Sequence, residues 1–336
     1  MPITAKFGGS SLAGADRFRA VRRLLAHDPS RKAVVVSAPG RRFAGDLKLT
    51  DLLYACFELR RAGGDWRGAF YAVAERFEAI RRELSLPASL TLPLEALERG
   101  LSGGTLTREY VASRGEYFSA RLLAAHLGWR FLDSADWLRF LPDGRVDTAA
   151  SYALLRQAET PFVTPGFYGA EASGAIRTFP RGGSDITGAL AAAALDAELY
   201  ENWTDVPGVL TADPAAVPSA APVPYLTYGE LTALGAQVLH PDAVLPVQEK
   251  GIPLRIASSF APEKPGTWIS SSVPQGVTRD RILSVSLRPD GVLILFAAER
   301  GVPEIPGALR TGAHTLLLPV SPQEAADAAR RILAAP

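Results

Sequence analysis

The chain has 336 residues, a formal net charge of +1 and a hydrophobic content of 47%. This length suits one large α/β domain with a small appendage, or two domains, and the composition predicts a globular protein with a substantial core. The near-neutral charge gives no electrostatic footprint for nucleic acid or for an acidic membrane surface. The single cysteine, Cys56, excludes a disulfide framework and a cysteine-based metal site within the chain.

Histidine spacing and apolar run length exclude two further classes. The four histidines are scattered, and none has the close His or carboxylate spacing of a zinc site. No uninterrupted apolar run reaches the roughly 18 residues of a transmembrane helix. The N-terminus also lacks the long apolar core of a signal peptide. We therefore expect a cytoplasmic protein without nucleic-acid or membrane partners.

The N-terminal segment has the order of elements that binds phosphate in α/β folds. Residues 3–7 form an apolar run that predicts a strand, a G-G-S-S loop follows at residues 8–11, and a helical pattern begins at Asp16. Lys6, directly before the loop, would place an ammonium on the same anion. The loop matches neither G-x-x-x-x-G-K-S/T nor G-x-G-x-x-G, so a tight strand-to-helix turn is the alternative.

Three polar residues lie near predicted helix starts or strand ends. Residues 33–36 predict a buried strand that ends at Ser37. Thr50 precedes a helical pattern, and helix capping is its structural interpretation. Glu116 lies near the start of a predicted helix at residues 113–127, where it either complements the helix dipole or recognises an ammonium group.

The stretch at residues 178–195 (T-F-P-R-G-G-S-D-I-T-G-A-L-A-A-A-A-L) predicts an anion site at a helix start. Ser184 or Asp185 is a good N-cap for the alanine-rich helix that follows. The preceding glycine pair brings backbone N–H groups to the positive end of that helix, and Arg181 adds a planar guanidinium. The alternative is a glycine turn before a buried helix, with a surface arginine.

Strands alternate with helices over about 260 residues, which predicts a mainly parallel sheet covered on both faces. In such sheets, ligand loops lie at the carboxyl ends of the strands. Five segments follow predicted strands and would share that edge: the loop at residues 8–11, Ser37, Phe167, the loop at residues 181–185, and Thr204 with Asp205.

The C-terminal part reads as a Ser, Pro and Gly-bearing linker at residues 271–280 and a short α+β segment at residues 281–336. Strand patterns lie at residues 282–287, 292–297 and 315–320, and a helical pattern at residues 323–333. A segment of this size is marginal for an independent core, so we expect it to dock on the main domain (residues 1–270) or on a partner subunit.

Several motifs, in this order, resemble those of the aspartate kinase branch of the amino acid kinase family. The resemblance covers about residues 3–269. It implies a three-layer αβα sandwich with a mainly parallel central sheet, followed here by a short ACT-like segment. The motifs are K-F-G-G-S-S (6–11), S-R-G-E (113–116), P-G-F-Y-G (165–169), R-G-G-S-D-I-T (181–187), W-T-D-V-P-G (203–208) and V-L-H-P-D-A-V-L-P-V (238–247).

The resemblance implies ATP-dependent phosphorylation of the side-chain carboxylate of L-aspartate, the first step towards lysine, threonine and methionine, in a homodimer. Mg²⁺ would accompany ATP, held largely by phosphate oxygens and water rather than by protein ligands. Lys6, Arg181 and Asp185 would be catalytic. The ATP-binding residues would be Lys6, Gly8, Gly9, Ser10, Ser11, Thr204 and Asp205. The aspartate-binding residues would be Ser37, Thr50, Glu116, Phe167, Arg181, Gly182, Gly183, Ser184 and Asp185.

Residue types agree with this chemistry, because a carboxylate nucleophile is ionised near neutral pH and needs no general base. The sequence departs from the family at Gln237 and Ala215, where many relatives carry Lys and Arg, and at Leu210, where an aromatic residue is frequent. Two alternatives therefore stay open: a catalytically weak regulatory paralogue, and a kinase for another amino or carboxylic acid. The C-terminal segment is too short for two ACT domains, so we expect weak regulation, or none, by lysine or threonine.

Overall fold

The computed structural model of the chain describes residues 1–87, 90–235, 239, 241–280, 282–300 and 302–334. The strands are β1 (Ile3–Phe7), β2 (Arg31–Val36), β3 (Arg130–Phe131), β4 (Arg139–Phe140), β5 (Phe162–Pro165), β6 (Tyr168–Glu171), β7 (Ile176–Thr178), β8 (Leu199–Thr204), β9 (Tyr225–Thr227), β10 (Leu254–Ser258), β11 (Thr267–Ser270), β12 (Ile282–Arg288), β13 (Gly291–Phe296), β14 (Leu309–Arg310) and β15 (Thr315–Leu318). The α-helices are α1 (Ala15–Ala26), α2 (Leu49–Arg61), α3 (Arg67–Glu83), α4 (Thr91–Gly103), α5 (Arg108–Leu127), α6 (Ser134–Trp137), α7 (Thr148–Leu155), α8 (Gly183–Ala194), α9 (Tyr228–Leu234), α10 (Leu245–Glu249) and α11 (Pro322–Ala334).

The central sheet has eight strands in the order β3-β5-β2-β1-β8-β10-β11-β9. All neighbouring pairs are parallel except β10 and β11, so the predicted mainly parallel sheet is confirmed. β11 follows β10 in the chain and pairs with it antiparallel, as a further strand of the main domain. The three-residue strand β9 was not anticipated.

Helices cover both faces of the sheet, because alternate side chains of its buried strands point to opposite sides. In β2, Val34 and Val36 pack in a core with helices α1 to α5. Ala33 and Val35 pack in a second core with helices α7 to α10. The predicted three-layer αβα sandwich is therefore confirmed. No described helix combines the length and the apolar character needed to cross a membrane.

Three helix starts differ from the sequence-based expectation. Helix α2 has Lys48 as its N-cap residue, so Thr50 lies inside the first turn and does not cap it. Helix α5 begins at Arg108, capped by the Thr107 hydroxyl, which places Glu116 in the middle of the helix and away from the positive end of its dipole. Helix α8 has Gly182, with φ of 60°, as its N-cap, in place of the expected Ser184 or Asp185.

The C-terminal residues form a four-stranded antiparallel sheet in the order β12-β13-β15-β14, which we call the C-terminal sheet. Helix α11 packs on it through alanines, including Ala325 and Ala328, so the predicted α+β segment is confirmed. Ala212 and Val217 of the main domain contribute to the same core. The predicted division of the chain at residues 270 and 281 stays a prediction.

Candidate active site

The carboxyl ends of five adjacent strands, β5-β2-β1-β8-β10, meet at one edge of the central sheet. β1 lies between β2 and β8, so the sheet extends to both sides of it and a crevice opens at its carboxyl end. The loops after these strands contain four of the five predicted site segments; the fifth, residues 181–185, follows β7 of a separate three-stranded sheet, β4-β6-β7. The loop at residues 8–11, which we call the first glycine loop, follows β1, and the second glycine loop, residues 181–185, begins α8.

The first glycine loop is pressed against the loop that follows β2. The Gly40 N–H donates to the Gly9 carbonyl at 2.7 Å. A Cβ at Gly9 would lie 2.8 Å from the Ala38 carbonyl oxygen, and one at Gly40 would lie 2.6 Å from the Gly9 carbonyl carbon. Because these contacts are to backbone atoms, neither position has room for a side chain. Gly9 and Gly40 therefore allow two strand-end loops to meet over the crevice.

The hydroxyl of Ser11 is already bonded within the fold. Its Oγ lies 2.7 Å from the Ser259 Oγ, just beyond β10. Arg17 donates to the Ser259 hydroxyl and carbonyl at 2.9 and 3.0 Å, and its guanidinium lies 3.5 Å from the Phe260 ring centroid. Ser11 therefore ties the first glycine loop to the end of β10, and its backbone N–H is also bonded within the loop, to the Gly8 carbonyl at 3.0 Å.

Lys6, at the end of β1, joins the two glycine loops. Its Nζ lies 2.5 Å from Asp185 Oδ1 and 3.5 Å from Asn202 Oδ1. Asn202 in turn donates from Nδ2 to Asp185 Oδ1 at 2.9 Å. The Lys6 side chain is almost fully buried, whereas the Asp185 side chain is 20% exposed. The pair is therefore covered from the sheet side and open towards the crevice.

Helix α8 begins in close contact with the loop after β5. A Cβ at Gly183 would lie 2.9 Å from Phe167 Cα, and one at Gly166 would lie 2.6 Å from Ser184 Cβ. This close approach requires glycine at both positions. Arg181 is exposed and has no hydrogen bond or ion pair to any other described residue. Its guanidinium is therefore free to meet an anion at the start of α8.

Phe167 is held in a left-handed backbone conformation with φ of 76°. Its N–H donates to Thr187 Oγ1 at 3.1 Å, and its carbonyl accepts from the Phe179 N–H at 2.9 Å. Thr187 Oγ1 donates to the Gly183 carbonyl at 2.8 Å. A non-glycine residue at positive φ costs on the order of 1 kcal/mol, which the surrounding hydrogen bonds offset.

Glu116 is buried where α5 crosses the end of β2. Burial raises the pKa of its carboxyl group to about 8, against a smaller lowering by the Ala38 backbone N–H and by the Arg114 charge. Its Oε2 atom is buried and has no hydrogen-bond partner among the described residues. A buried carboxyl oxygen without a partner is costly, so this atom is a candidate contact for a cationic ligand group.

The loop between β2 and α2 is anchored by Arg76 of α3. Its guanidinium lies 3.1 Å from the Asp46 carboxylate and also donates to the Gly40 and Leu47 carbonyls. Arg42 adds a bidentate contact, and its hydrogen bonds hold the pKa of the Asp46 carboxyl well below its usual range. The loop thereby has a fixed path between two half-buried residues, Ser37 and Thr50.

Thr204, the last residue of β8, and Asp205, the next residue, border a cavity of about 450 Å³, which we call the nucleotide-side cavity. The Thr204 hydroxyl donates to Asp205 Oδ1 at 3.1 Å. Leu210 lines the same cavity. Ala215 is exposed on the loop that borders it, and Gln237 lies outside the described residues.

The family model described as the amino acid kinase family matches residues 1–258. The chain belongs to the amino acid kinase family. It is 36% identical to aspartokinase 3 of Bacillus subtilis over 285 residues, covering 79% of this chain and 63% of that protein. It is 34% identical to lysine-sensitive aspartokinase 3 of Escherichia coli over 295 residues, covering 80% and 64%. The chain thus spans less than two thirds of the length of these curated relatives.

Solved structures give the same relationship within the family. The crystal structure of Clostridium acetobutylicum aspartate kinase superimposes with a TM-score of 0.79 at 36% identity, covering 84% of this chain and 66% of that chain. Escherichia coli aspartokinase III in complex with aspartate and ADP superimposes with a TM-score of 0.75 at 26% identity, covering 96% and 79%. The fold expected from the resemblance is confirmed by these neighbours.

Sequence reasoning missed three side chains of this family member's site. Asn202 bridges Lys6 and Asp185, Ser259 holds Ser11, and Arg76 anchors the loop after β2. The signal for Asn202 was available, because adjacent polar residues interrupt an apolar strand in L-Y-E-N-W-T. Ser259 and Arg76 gave no such signal, since their partners lie far away in sequence.

Proposed function

We propose that the protein transfers the γ-phosphoryl group of ATP to the side-chain carboxylate of L-aspartate, forming 4-phospho-L-aspartate. The observation that carries the proposal is the position of Lys6, a buried cation that contacts the second glycine loop while directly preceding the first. Two anions bound at these loops would meet at one ammonium group. The similarity to aspartokinases supports aspartate as one of them.

The first glycine loop and Lys6 would hold the ATP phosphates. Backbone N–H groups and one ammonium are suited to the charge that develops on the transferred phosphoryl group. The described residues contain no group of three or more His, Cys, Asp or Glu side chains arranged around a metal ion. Mg²⁺ would accompany ATP, held largely by phosphate oxygens and water, and would supply further neutralisation of phosphate charge.

The second glycine loop and Glu116 would select aspartate. The α8 N-terminus and the exposed Arg181 are suited to a carboxylate. The unpartnered Oε2 of Glu116 is suited to the substrate ammonium, which distinguishes an amino acid from an acid without an amine. Ser37, Thr50 and Phe167 would shape the pocket. The aspartate carboxylate is ionised at neutral pH, so the reaction needs alignment of two anions rather than a base.

A hydroxylamine trap tests this function. The purified chain is mixed with Mg-ATP, hydroxylamine and aspartate or glutamate in turn, and the hydroxamate formed from the acyl phosphate is measured. We expect a signal with aspartate alone. A signal with glutamate would move the assignment to another acid, and saturable aspartate binding without turnover would favour a regulatory protein. A homodimer and a cytoplasmic location, both expected from the sequence, belong to the same proposal.

A further inference from the structure

The nucleotide-side cavity has walls from two parts of the chain. One wall consists of residues from Thr204, the last residue of β8, to Pro214, together with Leu234 at the end of α9. The other wall is β12 of the C-terminal sheet, through residues 284–287. At about 450 Å³ the cavity has the size of a small-molecule site.

Strand β12 is fixed in that position by hydrogen bonds to the main domain. The Val285 N–H donates to the Thr211 carbonyl at 2.7 Å, and the Ser284 hydroxyl donates to the Leu210 carbonyl at 2.9 Å. Both acceptors belong to the segment that follows β8. The wall is therefore attached to the loop that borders the cavity rather than merely lying near it.

A buried ion pair anchors the approach to β12. Arg279 makes two contacts to the Glu230 carboxylate, at 2.8 and 3.0 Å, and the Ala298 N–H donates to the same carboxylate at 2.8 Å. Leu283 and Leu295 of the C-terminal sheet are part of the core formed by α8 and α10. The sheet is thus joined to the main domain on the cavity side by polar and apolar contacts together.

The cavity is adjacent to the first glycine loop. β8 and β1 are paired up to Trp203 and Phe7, and the Gly8 N–H donates to the Trp203 carbonyl at 2.9 Å. Thr204, the next residue, lines the cavity. A nucleotide whose phosphates lie on the first glycine loop would therefore place its nucleoside in the nucleotide-side cavity.

The charged residues that line the cavity are acidic, so a cation at its mouth matters for binding an anionic nucleotide. The charged side chains among its described lining residues, Asp205 and Asp213, are both acidic. Arg288, directly after lining residue Leu287, donates from Nη2 to the carbonyl of another lining residue, Leu234, at 3.0 Å. This single bond leaves the other guanidinium N–H groups of Arg288 without an acceptor among the described residues.

We propose that β12 of the C-terminal sheet is a wall of the nucleotide site, with Leu287 packing beside the nucleoside and Arg288 placing a cation at the cavity mouth. The inference rests on the proposed function only in taking a nucleotide as the ligand of the first glycine loop. On this basis the C-terminal sheet contributes directly to nucleotide affinity.

The C-terminal sheet provides its own matched controls. Leu309 and Arg310 form the same Leu-Arg pair in β14, at the opposite edge of the sheet, where both are exposed. Four full-length variants are compared: Leu287→Trp, Arg288→Ala, Leu309→Trp and Arg310→Ala. Mg-ATP binding is measured by calorimetry without aspartate, and thermal melting confirms that each variant is folded.

We expect Leu287→Trp to weaken Mg-ATP binding about tenfold or more by filling the cavity, and Arg288→Ala to weaken it several-fold, while both β14 variants stay within twofold of the parent protein. Binding within twofold for both β12 variants, or equal losses at β12 and β14, would overturn the inference. Because the readout is binding, the two proposals fail separately. If the parent protein phosphorylates aspartate and the β12 variants bind Mg-ATP normally, only the inference is overturned. If the β12 variants selectively lose Mg-ATP binding but the parent protein does not phosphorylate aspartate, only the proposed function is overturned.

Discussion

Two adjacent residues of β8, Glu201 and Asn202, form polar networks on opposite faces of the sheet. Glu201 accepts from Arg31 at 2.6 and 3.0 Å, from Arg255 at 3.5 Å and from the Trp203 indole at 3.0 Å. Its carboxylate is almost fully buried and both oxygens are satisfied by protein donors. This network is closed, and nothing in it is available to a ligand.

The Asn202 network uses similar groups but stays open. Asn202 orients Asp185 and Lys6, and the Asp185 side chain keeps a fifth of its surface exposed to the crevice. In the first network a carboxylate is surrounded by cations, whereas in the second a single ammonium faces two loops that suit anions. Buried charge in β8 is thus closed off from solvent on one face and open to the crevice on the other, where we propose that it serves ligand binding.

The largest expected effect is on the free energy of unfolding, and it tests the closed network around Glu201. Glu201→Gln keeps the side-chain volume but leaves the buried Arg31 without its counter-charge, so we expect the free energy of unfolding to fall by about 3 kcal/mol. Glu198→Gln, at an exposed ion pair with the N-terminal amine, should change it by less than about 1 kcal/mol. Urea unfolding measures both variants. Equal small losses would show that the closed network does not stabilise the fold.

The next expected effect is on kcat, and it tests the open network of Asn202, Asp185 and Lys6. Lys6→Met removes the ammonium between the two glycine loops, so we expect kcat in the hydroxamate assay to fall by about 100-fold at saturating substrates. Lys32→Met, which removes an exposed lysine from the neighbouring strand β2, should leave kcat unchanged. A Lys6→Met enzyme within threefold of the parent would contradict the assigned role of Lys6.

The sequence predicted β1 and β2 well, because both are buried on both faces and contain apolar runs. It did not predict which residues begin the helices. Ser184 has the better intrinsic capping propensity, but its close contact with Gly166 places Gly182 at the N-cap of α8. Helix starts depend here on how two loops meet, which local propensity does not encode.

Glu116 shows the same limit for the candidate site. Its motif marks it as a candidate site residue, but the Thr107 cap starts α5 at Arg108, earlier than the helix predicted at residues 113–127, so Glu116 does not lie near the helix start. The sequence therefore identified the residue, while only the fold shows that it is buried beside Ala38 with a raised pKa. The roles assigned to Glu116, Arg181 and the other site residues stay predictions until they are measured.

The smallest expected effect is on the pH dependence of aspartate binding, through Glu116. Unlike Glu201, this buried carboxyl group has no cation within ion-pairing distance among the described residues. Burial raises its pKa to about 8, so below that pH the unliganded protein holds it protonated. Contact with the substrate ammonium favours the ionised form, and binding must then release a proton. Affinity for aspartate should rise with pH, by at most about tenfold per unit, and level off above pH 8.

Calorimetry in two buffers of different ionisation enthalpy, at pH 6, 7 and 8, measures both the affinity and the released proton. Glu116→Gln keeps the shape but cannot ionise, so its weaker aspartate binding should be independent of pH and release no proton. Glu109→Gln, on the same helix outside the site, is the matched control and should retain the parent profile. A parent profile that is flat from pH 6 to pH 8 would remove the ammonium contact from Glu116 while leaving the Lys6 prediction untouched.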